Sequence, residues 1–114
     1  MITAALPIPK GINPAQIIDM VGAVLGYDPE RKIQRYHTAA EKAEVMRIRA
    51  MLCGLCVKHC IHSRAEIATE MRLHGSSDIN HAVKLCNKLI AEDAGFSAAF
   101  AELDRKVMDR RLGQ

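Results

Sequence analysis

Aromatic residues are scarce in this chain: two Tyr, two Phe and no Trp, 4% of 114 residues. Ala, Leu, Ile and Met dominate the apolar set, all good or fair helix formers, and no run alternates apolar with polar as a half-buried strand would. A β-sheet core is thereby excluded, and the expected fold class is all-α, a compact domain of five to six helices. Long hydrophobic runs are also missing. No stretch approaches the ~20 residues that cross a bilayer, so no membrane partner is expected. Met1 to Lys10 has no charged segment ahead of an apolar run and does not read as a signal peptide. Excess charge is small, with 16 Lys+Arg against 13 Asp+Glu and a net charge of +3. That balance permits an anionic partner without demanding one. A length of 114 residues allows one core and excludes a large multi-domain enzyme. A hydrophobic share of 49% with 25% charged residues is that of a globular domain rather than a disordered or fibrous one.

What is present is helix punctuation. Residues 1–13, with Pro7, Pro9 and Gly11, read as a flexible N-terminal arm, and the domain as 14–112. Asn13-Pro14 supplies an N-cap with proline at the first helical position. Ile17, Ile18, Met20, Val21, Val24 and Leu25 make an apolar stripe ended by Gly26. Asp28-Pro29 opens a short segment, Glu30 to Arg35, where Arg31, Lys32 and Arg35 lie beside Tyr36 and His37. Thr38 with Glu41 is a capping box for a long central helix reaching about His59, with Val45, Ile48, Met51, Leu52 and Leu55 inward. Ser63 with Glu66 is a second capping box, for a short helix with Ile67 and Met71 inward. His74-Gly75 breaks the pattern before a helix from about Ser77 to Ala91, carrying Ile79, Ala82, Val83, Cys86, Leu89 and Ile90 inward. After 93–95 a last helix carries Phe96, Phe100, Leu103 and Val107.

A short helix, a glycine-containing turn and a longer helix form the outline of a helix-turn-helix. On the outer side of the longer helix, Ser77, Asn80, His81, Lys84 and Lys88 share one face. Asn and His can bond base edges, and Lys and Ser suit bases or phosphates. Ser76 and Ser77 stand where a helix N-terminus offers free backbone N–H groups. The competing reading is an ordinary solvated face.

Val45 to Met51 with its Arg-x-Arg pair, His62-Ser63 before Glu66-Ile67, and His81-Ala82 followed by Lys84 and Leu89 together resemble the C-terminal DNA-binding domain of the bacterial replication initiator DnaA. That domain is a helix-turn-helix of the Trp-repressor-like superfamily, and the resemblance covers roughly residues 14–110. It implies double-stranded DNA binding through a major-groove recognition helix assisted by a basic loop. Arg47 and Arg49 match the basic pair, one of which reaches the minor groove. His62 and Ser63 match the turn before the first motif helix, and His81 and Ala82 the recognition helix, its alanine packing on DNA. The family's Arg-Asp-His-Thr-Thr signature falls on His74, Gly75, Ser76, Ser77 and Asp78, so its His-Thr-Thr readers are absent and a different target site is implied. Asp78 can accept from a cytosine amino group or repel the duplex. No Gly-x-x-x-x-Gly-Lys-Ser/Thr loop is present, so the initiator's ATPase is not expected. Stand-alone domains of this kind occur among phage-derived regulators and activators of gene transfer agents. The expected function is thus a bacterial transcription regulator, cytoplasmic and nucleoid-associated. The alternative is an interaction module of the same fold that binds RNA polymerase, DnaA or another regulator, which Asp78 and the modest charge favour.

Four cysteines in an apparently unexported chain point to free thiols in a reducing compartment. Cys53, Cys56 and Cys60 follow i, i+3, i+7 spacing and read as core thiols. A structural zinc site joins two short Cys/His pairs, and no second pair follows, so neither metal nor cofactor is expected. His37, His59 and His62 read as surface or capping residues. No Cys-His pair comes with an orienting group and an oxyanion loop, so no enzyme is expected. Met46, Met51 and Met71 read as core filling. Arg105, Lys106, Arg110 and Arg111, interleaved with Asp104 and Asp109, read as a charged helix end.

Overall fold

A computed structural model describes residues 11–27 and 38–113. Among these residues the chain forms five helices and no strand: α1 (Pro14–Leu25), α2 (Ala39–His59), α3 (Arg64–Glu70), α4 (Ser76–Glu92) and α5 (Ala94–Leu112). The all-α architecture expected from composition is what the structure shows. The basic segment Glu30–Arg35, with Tyr36 and His37, lies outside the described residues.

Local chemistry sets the helix starts. Asn13, Thr38 and Ser63 each accept from the backbone N–H three residues on, while Gln16, Glu41 and Glu66 reach back to the cap N–H. Each pair satisfies two donors that a helix start would otherwise leave open. The first cap also corrects the extent of the arm. Ile12 is fully buried, as is Ile17 five residues on. These are the N′ and N4 positions of a hydrophobic staple, so residues 11–13 belong to the packed domain. At the other end of α1, Gly26 turns left-handed at φ 72° and closes the helix. Val24, on the predicted stripe, is exposed, while Pro14, Ile17, Val21 and Gly22 form the buried face of α1 and Ile18, Met20 and Leu25 pack at its edge.

The core lies around the second half of α2. Ala50, Met51, Leu52, Cys53, Leu55 and Cys56 are all buried, so this stretch is covered on every side. α2 packs against each of the other four helices, most extensively against α4. Ile79, Ala82 and Cys86 form the buried face of α4, and Phe96, Leu103 and Val107 that of α5. Cys53 and Cys86 are core thiols, pushed up to about 12 and about 11 chiefly by burial. Met51 and Met71 fill the core, whereas Met46 is exposed and lines a surface cleft.

Where α2 and α4 meet, Gly54 allows close approach. A Cβ there would lie 2.6 Å from the Cys86 sulfur and 3.2 Å from a Phe100 ring carbon. Gly54→Ala should therefore lower the unfolding free energy by about 1–3 kcal/mol in urea denaturation, although alanine is the better helix former. Placed in a Cys86→Ala background, the same substitution should cost far less, because the sulfur it meets is gone. Equal losses in the two backgrounds would show that this contact does not set the helix separation.

Candidate nucleic-acid interface

The helix-turn-helix is fixed at both ends of its turn. α3 closes in a paired motif: the Arg72 N–H donates to the Thr69 carbonyl at 3.1 Å and the Leu73 N–H to that of Ala68 at 2.8 Å. This requires Arg72 to be left-handed, φ 56°, where glycine is the usual occupant. The Tyr27 hydroxyl donates to the Met71 carbonyl at 3.2 Å and ties the turn to the end of α1. Gly75 caps α4 without a side-chain bond. Asp78 supplies the missing link, its carboxylate accepting the His74 N–H at 3.0 Å. An acidic group in the first turn also suits the helix dipole. Asp78 thus has a structural task in the turn.

Beside this turn lies a cleft of about 420 Å³ lined by Arg49 and Met46 from α2, Arg72 and His74 from the turn, and Asp78 and His81 from α4. Two helices and the turn before α4 bring nitrogen-rich side chains together there. Ser76 and Ser77 open α4 and are exposed; Lys84 and Lys88 continue its outer face and are exposed as well. Arg49, Lys84 and Lys88 have no hydrogen-bond or ion-pair partner among the described residues.

The Arg-x-Arg pair is split. Two residues on a helix are ~200° apart, so Arg47 points to the opposite side from Arg49. Its guanidinium donates to Asp93 at 2.8 Å and lies 5.4 Å from the centre of the Phe96 ring. The segment is moreover no basic loop: both arginines lie inside α2, which begins at Ala39. The early capping box at Thr38 is what carries the helix through this stretch. Asn80 is exposed and accepts from Arg64 of α3. Ser63 is engaged as the α3 cap, with Glu66 donating its N–H at 3.1 Å. His62 lines a separate cleft with Asn13, Pro14, Glu66, Thr69 and Glu70, to which α4 contributes nothing. The structure therefore brings Arg49 and His81 together, with Ser76, Ser77, Asn80, Lys84 and Lys88 along the same helix. Arg47 and His62 stand elsewhere, and the Ser63 hydroxyl is occupied as the cap of α3.

No family model, curated protein or solved structure matches this chain.

Sequence reasoning passed over Arg64, Arg72 and His74. The basic pair flanking Leu73, just ahead of the helix, was the available signal for two of them. A second cluster also departs from expectation. His59 is buried rather than superficial, its Nε2 2.5 Å from Asp104 and its Nδ1 3.1 Å from Arg111. Lys58 donates to the other Asp104 oxygen at 2.7 Å. Asp104 and Arg111 are accordingly not a solvated helix end but the polar tie between α5 and α2. Among the described residues no group of three His, Cys, Asp or Glu side chains is arranged to hold a metal ion.

Burial pushes the Asp104 carboxyl up, but the hydrogen bonds and charges of Lys58 and His59 outweigh it and hold the group below the ordinary carboxylate value. A carboxyl depressed by folding stabilises the native state above its unfolded value, near 3.9, and loses that effect as pH falls through the folded value. Asp104→Asn should thus cost about 1–3 kcal/mol at pH 7, and the gap to wild type should close below about pH 4 in parallel urea titrations. Arg72→Gly should act in the opposite direction, raising stability by up to ~1 kcal/mol through relief of the left-handed backbone, seen as a higher Tm.

Proposed function

We propose that this chain is a sequence-specific double-stranded DNA-binding protein, a transcription regulator of DnaA-like helix-turn-helix type. The observation that carries the reading is the convergence of Arg49, Arg72, His74 and His81 in one cleft beside Lys84 and Lys88 on the outer face of α4. From Ser77 to Lys88 that face runs about 16 Å along the axis, longer than the ~12 Å width of the major groove. In this arrangement His81 lies within the groove while Ser77 at one end and Lys88 at the other reach the flanking phosphates. Arg49 follows the backbone from α2. Asp78 does not meet the duplex as an idle charge, because its carboxylate accepts the His74 N–H. Such a protein acts in the cytoplasm on the nucleoid, in the manner of a phage-derived regulator or a gene-transfer-agent activator. Its target differs from the initiator's box, since Ser76, Ser77 and Asp78 stand in place of His-Thr-Thr.

The presence of Asp78 in the cleft favours one other reading, an interaction module that binds RNA polymerase, DnaA or another regulator. Fluorescence anisotropy against a mixed duplex at low salt separates the two. The DNA reading expects affinity that falls steeply with salt, with a log–log slope of about one per phosphate neutralised. Arg49→Ala and Lys84→Ala should each weaken binding about fivefold and reduce that slope by about one. Unchanged binding in both variants would remove the α4 face from the interface. Wild-type binding no tighter than that of a neutral control protein would select the interaction module.

A further inference from the structure

We propose that Arg64 and Asn80 form a base-reading pair that selects guanine, with Arg64 fixing the amide of Asn80 so that only donors face the major groove; this rests on the DNA-binding reading of α4. Arg64 is the first residue of α3, and its Nη1 donates to Oδ1 of Asn80 on α4. Both residues are exposed. A guanidinium carries donors and no acceptor. The Asn80 atom that faces it is therefore the carbonyl oxygen, and the NH₂ group takes the opposite corner of the amide.

That orientation changes what asparagine can read. A free asparagine pairs with adenine by donating to N7 and accepting from the N6 amino group. Here the accepting oxygen is held by Arg64. An adenine amino group offered to its second lone pair would come up against the guanidinium, donor against donor. What the pair presents instead is the Asn80 NH₂ beside the remaining N–H groups of Arg64, a cationic cluster of donors. Among the four bases guanine alone offers two adjacent acceptors, N7 and O6, at the major-groove edge. Arg64 is thus a positioning residue for Asn80 and supplies positive charge to the same base. It lies on the first helix of the motif, so α3 contributes to readout as well as to packing.

The test is selection of bound duplexes from a random pool, using the full chain as wild type, Asn80→Ala, Arg64→Met and Arg64→Ala, after anisotropy has measured overall duplex binding for each. The position read by this pair is the one whose base preference disappears in Asn80→Ala. Wild type should favour guanine over adenine there by about tenfold. Arg64→Met, which keeps the side-chain stem and frees the amide, should move that preference to adenine while leaving the other positions as they were. Arg64→Ala should do the same, and circular dichroism of both variants should match wild type. An unchanged guanine preference without Arg64, an adenine preference in wild type, or no position altered by Asn80→Ala overturns the inference and leaves DNA binding standing. A wild-type chain that binds no duplex overturns the DNA reading and the pair with it.

Discussion

The position of α4 depends on a missing Cβ. At Gly54 the backbone of α2 comes close enough to Cys86 and Phe100 that a methyl group would sit inside the sulfur's contact radius. Because interiors are close-packed, such a contact sets a separation rather than merely tolerating one. α2 packs against all four of the other described helices, and its second half is buried on every side. Arg49 lies about a turn and a half before that glycine. The reach of Arg49 towards the turn and His81 is therefore a consequence of how deeply α4 seats on α2.

A net charge of +3 gave little reason to expect a cationic face. The structure shows how a small excess becomes local. Asp93 is held by the Phe96 N–H and by Arg47, which keep its carboxyl below the ordinary value. Asp104 is engaged by Lys58 and His59, Glu66 by the N-cap of α3, and Asp78 by the turn. These carboxylates are all used inside the fold. Arg49, Lys84 and Lys88 have no hydrogen-bond or ion-pair partner among the described residues, so their charge is not cancelled within the fold.

Helix starts were legible because capping is local chemistry: Asn13/Gln16, Thr38/Glu41 and Ser63/Glu66 lie three residues apart and declare themselves in the sequence. The buried faces of α4 and α5 followed from periodicity for the same reason, whereas α2 is covered on every side in its second half and shows no single face. The candidate site was read in part. The outer face of α4 is a matter of helical spacing, so Ser77, His81, Lys84 and Lys88 could be named. Which way Arg47 and Arg49 point depends on where α2 begins and on what lies 46 residues later at Asp93. His59 was misread because its partners, Asp104 and Arg111, lie 45 and 52 residues away in sequence. The Arg64–Asn80 contact was beyond reach for a related reason. It joins two helices whose crossing is set by the turn, including a left-handed Arg72 that composition does not announce.

Asp93 ends α4 and begins α5. Its N–H closes the last turn of one helix, and its carboxylate opens the first turn of the next while holding Arg47. Two helices that share a single residue have no slack between them. In mechanical terms the joint is a rigid elbow braced against α2. A torque applied to α4 is transmitted to α5 and, through Arg47, to the central helix, so the three helices turn as one body rather than as a helix on a tether.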